Sequence, residues 1–176
     1  MADTLESFCA DATAALKASP NTSGREAVRY RLEELLNSIE FINQYLLNLK
    51  RGRRILFKDP ETGFLMNAHG TNKENKTGKP HDHGTSWAIY GQASGLTNMT
   101  IWEQNHTTAS CEVASLTEQS RFTLMPGNAA LFDIGIIHST AHPEPARWIR
   151  ITGTDFNTIK RYTYDPITGT KKLLYR

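Results

Sequence analysis

The chain has 176 residues, 39% of them hydrophobic, and a formal net charge of +2. That is enough for one domain with a real core, and too little charge to draw the chain to nucleic acid or an anionic membrane. The two cysteines, Cys9 and Cys111, are too few for a disulfide framework. No apolar run approaches a membrane span, and residues 1–6 are acidic without an apolar signal core, so a cytoplasmic protein is expected.

Leu5, Phe8, Cys9, Ala12, Ala15 and Leu16 recur at helical spacing and predict a helix over residues 3–18. Ser19-Pro20-Asn21 ends it. Ser23-Gly24-Arg25-Glu26 has the S-x-x-E form of a capping box and predicts a second helix to about residue 48. Its apolar stripe, Val28, Leu32, Leu35, Leu36, Ile39, Ile42, Tyr45 and Leu46, packs on the rest of the domain. The basic cluster over 50–54 suits the end of that helix. From Arg54 onward the texture is strands and turns. Strands are predicted over 55–57, 63–69, 81–91, 96–103, 111–116, 121–124, 129–132 and 147–152, with strand-like Tyr162 and Tyr164 in the tail. Turn residues separate them at 59–63, 92–95, 126–127 and 165–169, and residues 70–80 read as an exposed loop. Many short strands with regular turns predict a sandwich or barrel. The expected layout is one domain, with helices over 1–50 packed on a barrel over 51–176.

Two histidines one residue apart, His81 and His83, lead into the apolar run Ser86-Trp87-Ala88-Ile89-Tyr90. Residues i and i+2 of a strand share a face, so both imidazoles aim at one point and Asp82 points away. Neutral imidazole is a good ligand for Fe, Zn, Cu or Ni. His138, in Ile136-Ile137-His138-Ser139, is the candidate third donor.

These stretches resemble the two motifs of the cupin superfamily. Against G-x5-H-x-H-x4-E-x6-G, His81, His83 and Gly95 fit, Ala88 replaces the glutamate, and Asn75 holds the place of the first glycine. Against G-x5-P-x-G-x2-H-x3-N, Gly127, Gly135 and His138 fit, while Asp133 replaces the proline and His142 the asparagine. The resemblance implies a mainly β fold, the cupin double-stranded β-helix (a jelly-roll-like barrel), with the two N-terminal helices outside it. Three histidines without a carboxylate further resemble the cysteine dioxygenase (thiol dioxygenase) family, over roughly residues 54–155. That likeness implies a mononuclear Fe(2+) dioxygenase acting with O2 on a small anionic thiol or related carboxylate. Zn(2+) or Ni(2+) would also suit the same ligands. Arg54, ten residues before Phe64, matches an arginine that binds the substrate carboxylate in that family. The family's Ser-x-His-x-Tyr array falls on Trp148, Arg150 and Thr152, so its His and Tyr are absent. Arg150 then offers a second cation for the substrate, or a partner for Glu103 or Asp133. Two other readings stand beside this one: a three-histidine cupin cleaving a 1,3-diketone, and a non-catalytic small-molecule-binding cupin. A homodimer stays open.

Strand parity puts Trp87 on the side of His81 and His83, as a pocket residue or as core. It puts Tyr90 behind the strand. His142 reads either as a group orienting a ligand from behind or as a loop histidine. His69 reads either as a cavity-facing group or, in preference, as a surface or hydrogen-bonded histidine, and His106 reads as a surface one.

Overall fold

The computed structural model describes residues 4–105 and 115–174. His106, Cys111 and the expected strand residues 111–114 lie outside them. Helix α1 (Leu5–Ala18) starts at Thr4, whose hydroxyl accepts from the Ser7 backbone N–H, and it buries the expected Phe8, Cys9, Ala12 and Leu16. Helix α2 (Thr22–Leu35) is capped by Asn21, whose side chain accepts from Ser23 N–H at 2.9 Å. The box expected at Ser23 is therefore not the cap. The second helix also stops at Leu35 instead of running to about 48. Asn37 and Ser38 break it, since short polar side chains bond local backbone in non-helical conformations. The Ser38 hydroxyl then accepts from Phe41 N–H and starts α3 (Ile39–Ile42), which continues as a π-helical turn over Asn43–Leu47. Among the described residues no helix is long and apolar enough to cross a membrane.

Strands β1 (Gly52–Lys58), β2 (Leu65–Thr71), β3 (Lys76–Thr77), β4 (Ala88–Ser94), β5 (Thr97–Gln104) and β6 (Leu116–Leu124) are followed by β7 (Ala129–Phe132), β8 (Ile137–His142), β9 (Ala146–Thr152), β10 (Tyr162–Asp165) and β11 (Thr170–Leu173). They pair antiparallel as a five-stranded sheet, β1-β2-β9-β4-β7, facing a four-stranded sheet, β3-β8-β5-β6, with β10-β11 as a separate hairpin. This is the cupin double-stranded β-helix, with helices packed outside. The loop expected over 70–80 contains β3, which pairs Lys76 with His142 and Thr77 with Ala141. Asn75 has φ +53°, a left-handed conformation that asparagine tolerates better than most residues. That is how it stands where the motif has glycine.

Helices and barrel share one core. Ile149 and Ile151 of β9, Met66 and Ala68 of β2 and Ile89 of β4 pack against Phe8, Leu32 and Leu35. A Cβ at Gly91 would lie 2.6 Å from Leu32 Cδ2, so α2 rests directly on β4. Asp133, at the motif's proline position, pairs with Arg25 and accepts from the Thr22 hydroxyl at 2.6 Å. It ties α2 to the end of β7, and it is not a partner for Arg150.

Candidate metal centre

His81 is held on two sides. Its N–H donates to His138 O at 2.9 Å, His138 N–H donates back to His81 O at 3.0 Å, and a second bridge joins His81 to Thr163 of the hairpin. The chain then turns. Gly84 N–H donates to Asp82 Oδ1 at 2.9 Å, and Gly84 adopts φ +59° with Lys160 O only 2.1 Å from where a Cβ would sit. Only glycine fits there. The strand resumes at Ala88, so the continuous strand expected over 81–91 is broken. The two histidines converge through a bridge and a turn rather than through strand parity. His138 lies on β8, where a loop was expected. The ligand atoms of His81, His83 and His138 all lie within 4.8 Å of one another.

The proton inventory of this group fits a cation. His81 Nδ1 is 3.0 Å from Lys79 O, which places its proton on Nδ1 and leaves the Nε2 lone pair free. His83 and His138 are 1% and 0% exposed. Burial holds both well below the ordinary histidine pKa, reinforced by His81, and it lowers His81 as well. Three neutral imidazoles therefore face one another, with the Nε2 atoms of His83 and His138 3.1 Å apart. Among the described residues, the Nδ1 atoms of both are buried without a partner, and no carboxylate belongs to the cluster. A divalent ion could be held by the facing Nε2 lone pairs, with the protons on Nδ1. The ligand set by itself suits Fe, Zn, Ni or Cu.

Asp82 points away from the cluster, as expected, and it anchors the loop. Its Oδ2 accepts from the Tyr164 hydroxyl at 2.7 Å, and its Oδ1 accepts from Tyr162 N–H at 3.1 Å. Burial, then Asp82, pushes the Tyr164 phenol pKa up, so the phenol stays a donor.

A cavity of about 210 Å³ opens beside the triad. His81, Tyr90 and Arg150 line one end; His69, Trp148, His142 and Lys76 line the other. Two rows across the sheet supply its wall: Arg150 and Tyr90 in register, with Asn67 beside Arg150 in the same row, then His69, Trp148 and Gln92. Arg150 lies on the inner face with Trp148, as alternation along β9 requires. Its guanidinium is 5.1 Å from the Phe156 ring, and its Nε is buried without a partner. Among the described residues no carboxylate pairs with it.

Two expectations, for Arg54 and Tyr90, are corrected here, and two open readings, for Trp87 and His69, resolve. Arg54 is exposed and outside the cavity: it pairs in register with Ala68 on the helix-facing side of the sheet, and its Nη2 donates to Tyr45 O at 2.9 Å. Trp87 belongs to the core shared with the helices, its indole 2.5 Å from where a Cβ on Gly153 would sit. Tyr90 takes the inward place, its ring 5.2 Å from His138 and 6.2 Å from His83. The turn at Gly84 resets the parity on which both readings depended. Of the two readings of His69 the cavity-facing one holds: it stacks on Trp148 at 5.3 Å, and burial, then Arg150, lowers its pKa to about 2.

His142 lines the cavity wall and does not touch the triad. It stacks on Trp148 at 4.4 Å, and its Nδ1 is 3.0 Å from Thr97 Oγ1. Sequence reasoning missed Asn67, Lys76, Phe156 and Arg161. The period-two pattern of 65–69 carried a signal for the first, because Asn67 and His69 alternate with Met66 and Ala68. Phe156 stacks on His83 at 4.9 Å, and the Arg161 guanidinium lies 4.9 Å from the same ring. Burial, then Arg150, lowers the Arg161 pKa.

No family model matches the chain, and no curated protein matches it. Solved structures of similar fold include KdgF from Halomonas sp., 18% identical over 57% of this chain and 74% of that chain, with a TM-score of 0.44. Two others are the cupin domain of Schizosaccharomyces pombe Cnp3 (14% identity, 58% of this chain, 64% of that chain, TM-score 0.43) and DMSP lyase DddQ from Ruegeria pomeroyi DSS-3 (13% identity, 59% of this chain, 47% of that chain, TM-score 0.43). The chain therefore spans less than half the length of DddQ. What fold and site define is a cupin barrel with a three-histidine group that could hold a metal ion.

Proposed function

We propose that this chain is a mononuclear non-haem iron dioxygenase of the cysteine dioxygenase-like kind, oxidising a small anionic thiol or related carboxylate with O2. One observation carries the reading: a neutral three-imidazole cluster without a carboxylate lies beside an arginine that has no acidic partner among the described residues. His81, His83 and His138 would hold the metal. Fe(2+) bound there would supply Lewis acidity and the oxygen chemistry. Because the ligands are neutral, the ion keeps its full charge, and the site favours a thiolate, enolate or carboxylate.

Arg150 receives the substrate carboxylate, for which its planar fork is suited. Burial raises the Tyr90 pKa, so its phenol keeps its proton beside the triad. It supplies a phenol that the resembled family carries on the strand after the third histidine, where this chain has Thr152. Phe156, buried and stacked on His83, keeps water from the reacting end.

The test is elemental analysis of wild type and His81→Ala purified without chelator, followed by oxygen uptake on the iron-loaded protein. Near one iron per chain, lost in the variant, with oxygen consumed on cysteine or 3-mercaptopropionate, is expected. Faster uptake with a 1,3-diketone would shift the substrate class. No metal even after iron reconstitution would leave a non-catalytic binding cupin.

A further inference from the structure

We infer that the cavity is built for a dianion, a short dicarboxylate or a carboxylate bearing a second acidic group. One charge sits at the triad and Arg150, the other at Lys76. The inference rests on the reading above that the triad end receives an anion. Lys76 belongs to the two-residue strand β3, which pairs with β8 at His142. His142 is four residues along β8 from His138, about 13 Å of strand. Lys76 nonetheless lines the same cavity as His81 and Arg150, so the cavity carries a cation toward each end.

Among the described residues, no aspartate or glutamate lines that cavity. The walls between the two cations are Tyr90, Trp148, Met99 and short polar groups, which provide no counter-charge. At the Lys76 end, His69 Nε2 is buried without a partner, and the imidazole is neutral, so it adds a hydrogen-bonding group rather than a third charge. A volume of about 210 Å³ is roughly seven waters' worth of liquid, room for a four- or five-carbon chain with two carboxylates. A monoanion leaves Lys76 unused; a dianion neutralises both ends.

The experiment is calorimetric titration of the metal-free and the zinc-loaded protein with glutarate and with valerate, which differ by one carboxylate at equal carbon count. Wild type, Lys76→Met and Arg150→Met are compared. Wild type should bind glutarate on the order of tenfold more tightly than valerate, the effect of one charge-assisted hydrogen bond. Lys76→Met should erase that preference while leaving valerate affinity in place, and Arg150→Met should weaken both ligands. Equal affinities in wild type, or a Lys76→Met variant that weakens both alike, would overturn the inference. The two readings fail separately. If no metal is taken up but the Lys76-dependent preference persists, the dianion site stands alone; if zinc binds and the preference is absent, the dianion inference falls alone.

Discussion

Strand β9 has two faces one residue apart, and they obey different rules. Ile149 and Ile151 face the helices and are fully buried among apolar side chains. Trp148 and Arg150 face the barrel interior. There the Asn67 amide, Arg150 Nε and His69 Nε2 are all buried without hydrogen-bond partners. The outer face finds its partners within the chain. The inner face does not, and each buried polar group left unpaired costs about 1–3 kcal/mol. Such groups persist where a ligand completes them. Stability and function are thus divided by strand parity: the helices hold the sheet from outside so that its inside can remain unsatisfied.

The comparison breaks most sharply at the triad. His138→Ala should take metal content from near one per chain to near zero and abolish oxygen uptake, with the circular dichroism of the fold retained. A variant that kept its metal would end the triad assignment. On the outer face, Leu32→Ala should cost about 2–5 kcal/mol in urea unfolding, because Leu32 fills the space over Gly91, while metal per folded chain stays unchanged. A loss of metal affinity in folded Leu32→Ala would show that the faces are coupled.

Acid should unfold the inner face first. Burial lowers His69 to about 2 and His142 to about 4, so the unfolded chain takes up protons before the folded one. Their contribution is complete above the ordinary histidine pKa near 6.5 and is lost as pH falls, through about 4 for His142 and about 2 for His69. For His69 the slope is up to about 1.4 kcal/mol per pH unit. Urea midpoints of the metal-free protein between pH 7.5 and 5 measure it, and His69→Asn should flatten the profile. If that variant falls as steeply as wild type, His69 is not buried neutral.

Two smaller effects sharpen the picture. Tyr164→Phe removes the bond to Asp82, costing about 1 kcal/mol, and should weaken metal binding several-fold by loosening the loop between His81 and His83. Unchanged metal affinity would leave Asp82 a purely structural anchor. Arg150→Met should change stability least, within about 1 kcal/mol of wild type or in its favour, since among the described residues no carboxylate pairs with this guanidinium and its Nε is buried without a partner. A large destabilisation would mean that the arginine is structural.

Much of the site was legible without coordinates. The spacing of His81 and His83, and the glycines around His138, pointed to the three histidines that the structure brings together. Alternation along 147–152 put Arg150 inside with Trp148. The errors share one cause. Parity was carried across Gly84 as though the strand were unbroken, which exchanged the places of Trp87 and Tyr90. The left-handed turn there depends on the approach of Lys160 O, a contact some 76 residues away along the chain, and no local pattern reports it. Arg54 failed similarly, because the face it occupies is set by its register with Ala68 on β2.

By itself, then, the sequence determined the class of fold, the α1 stripe and the three imidazoles, because periodicity and motif spacing are local properties of the chain. Only the tertiary structure decided which aromatic lines the cavity, that His69 and Lys76 line it too, and that the C-terminal hairpin clamps the loop between His81 and His83 through Asp82. Those outcomes depend on strand register and on contacts between residues about 80 positions apart, where packing chooses among faces that local alternation leaves equivalent.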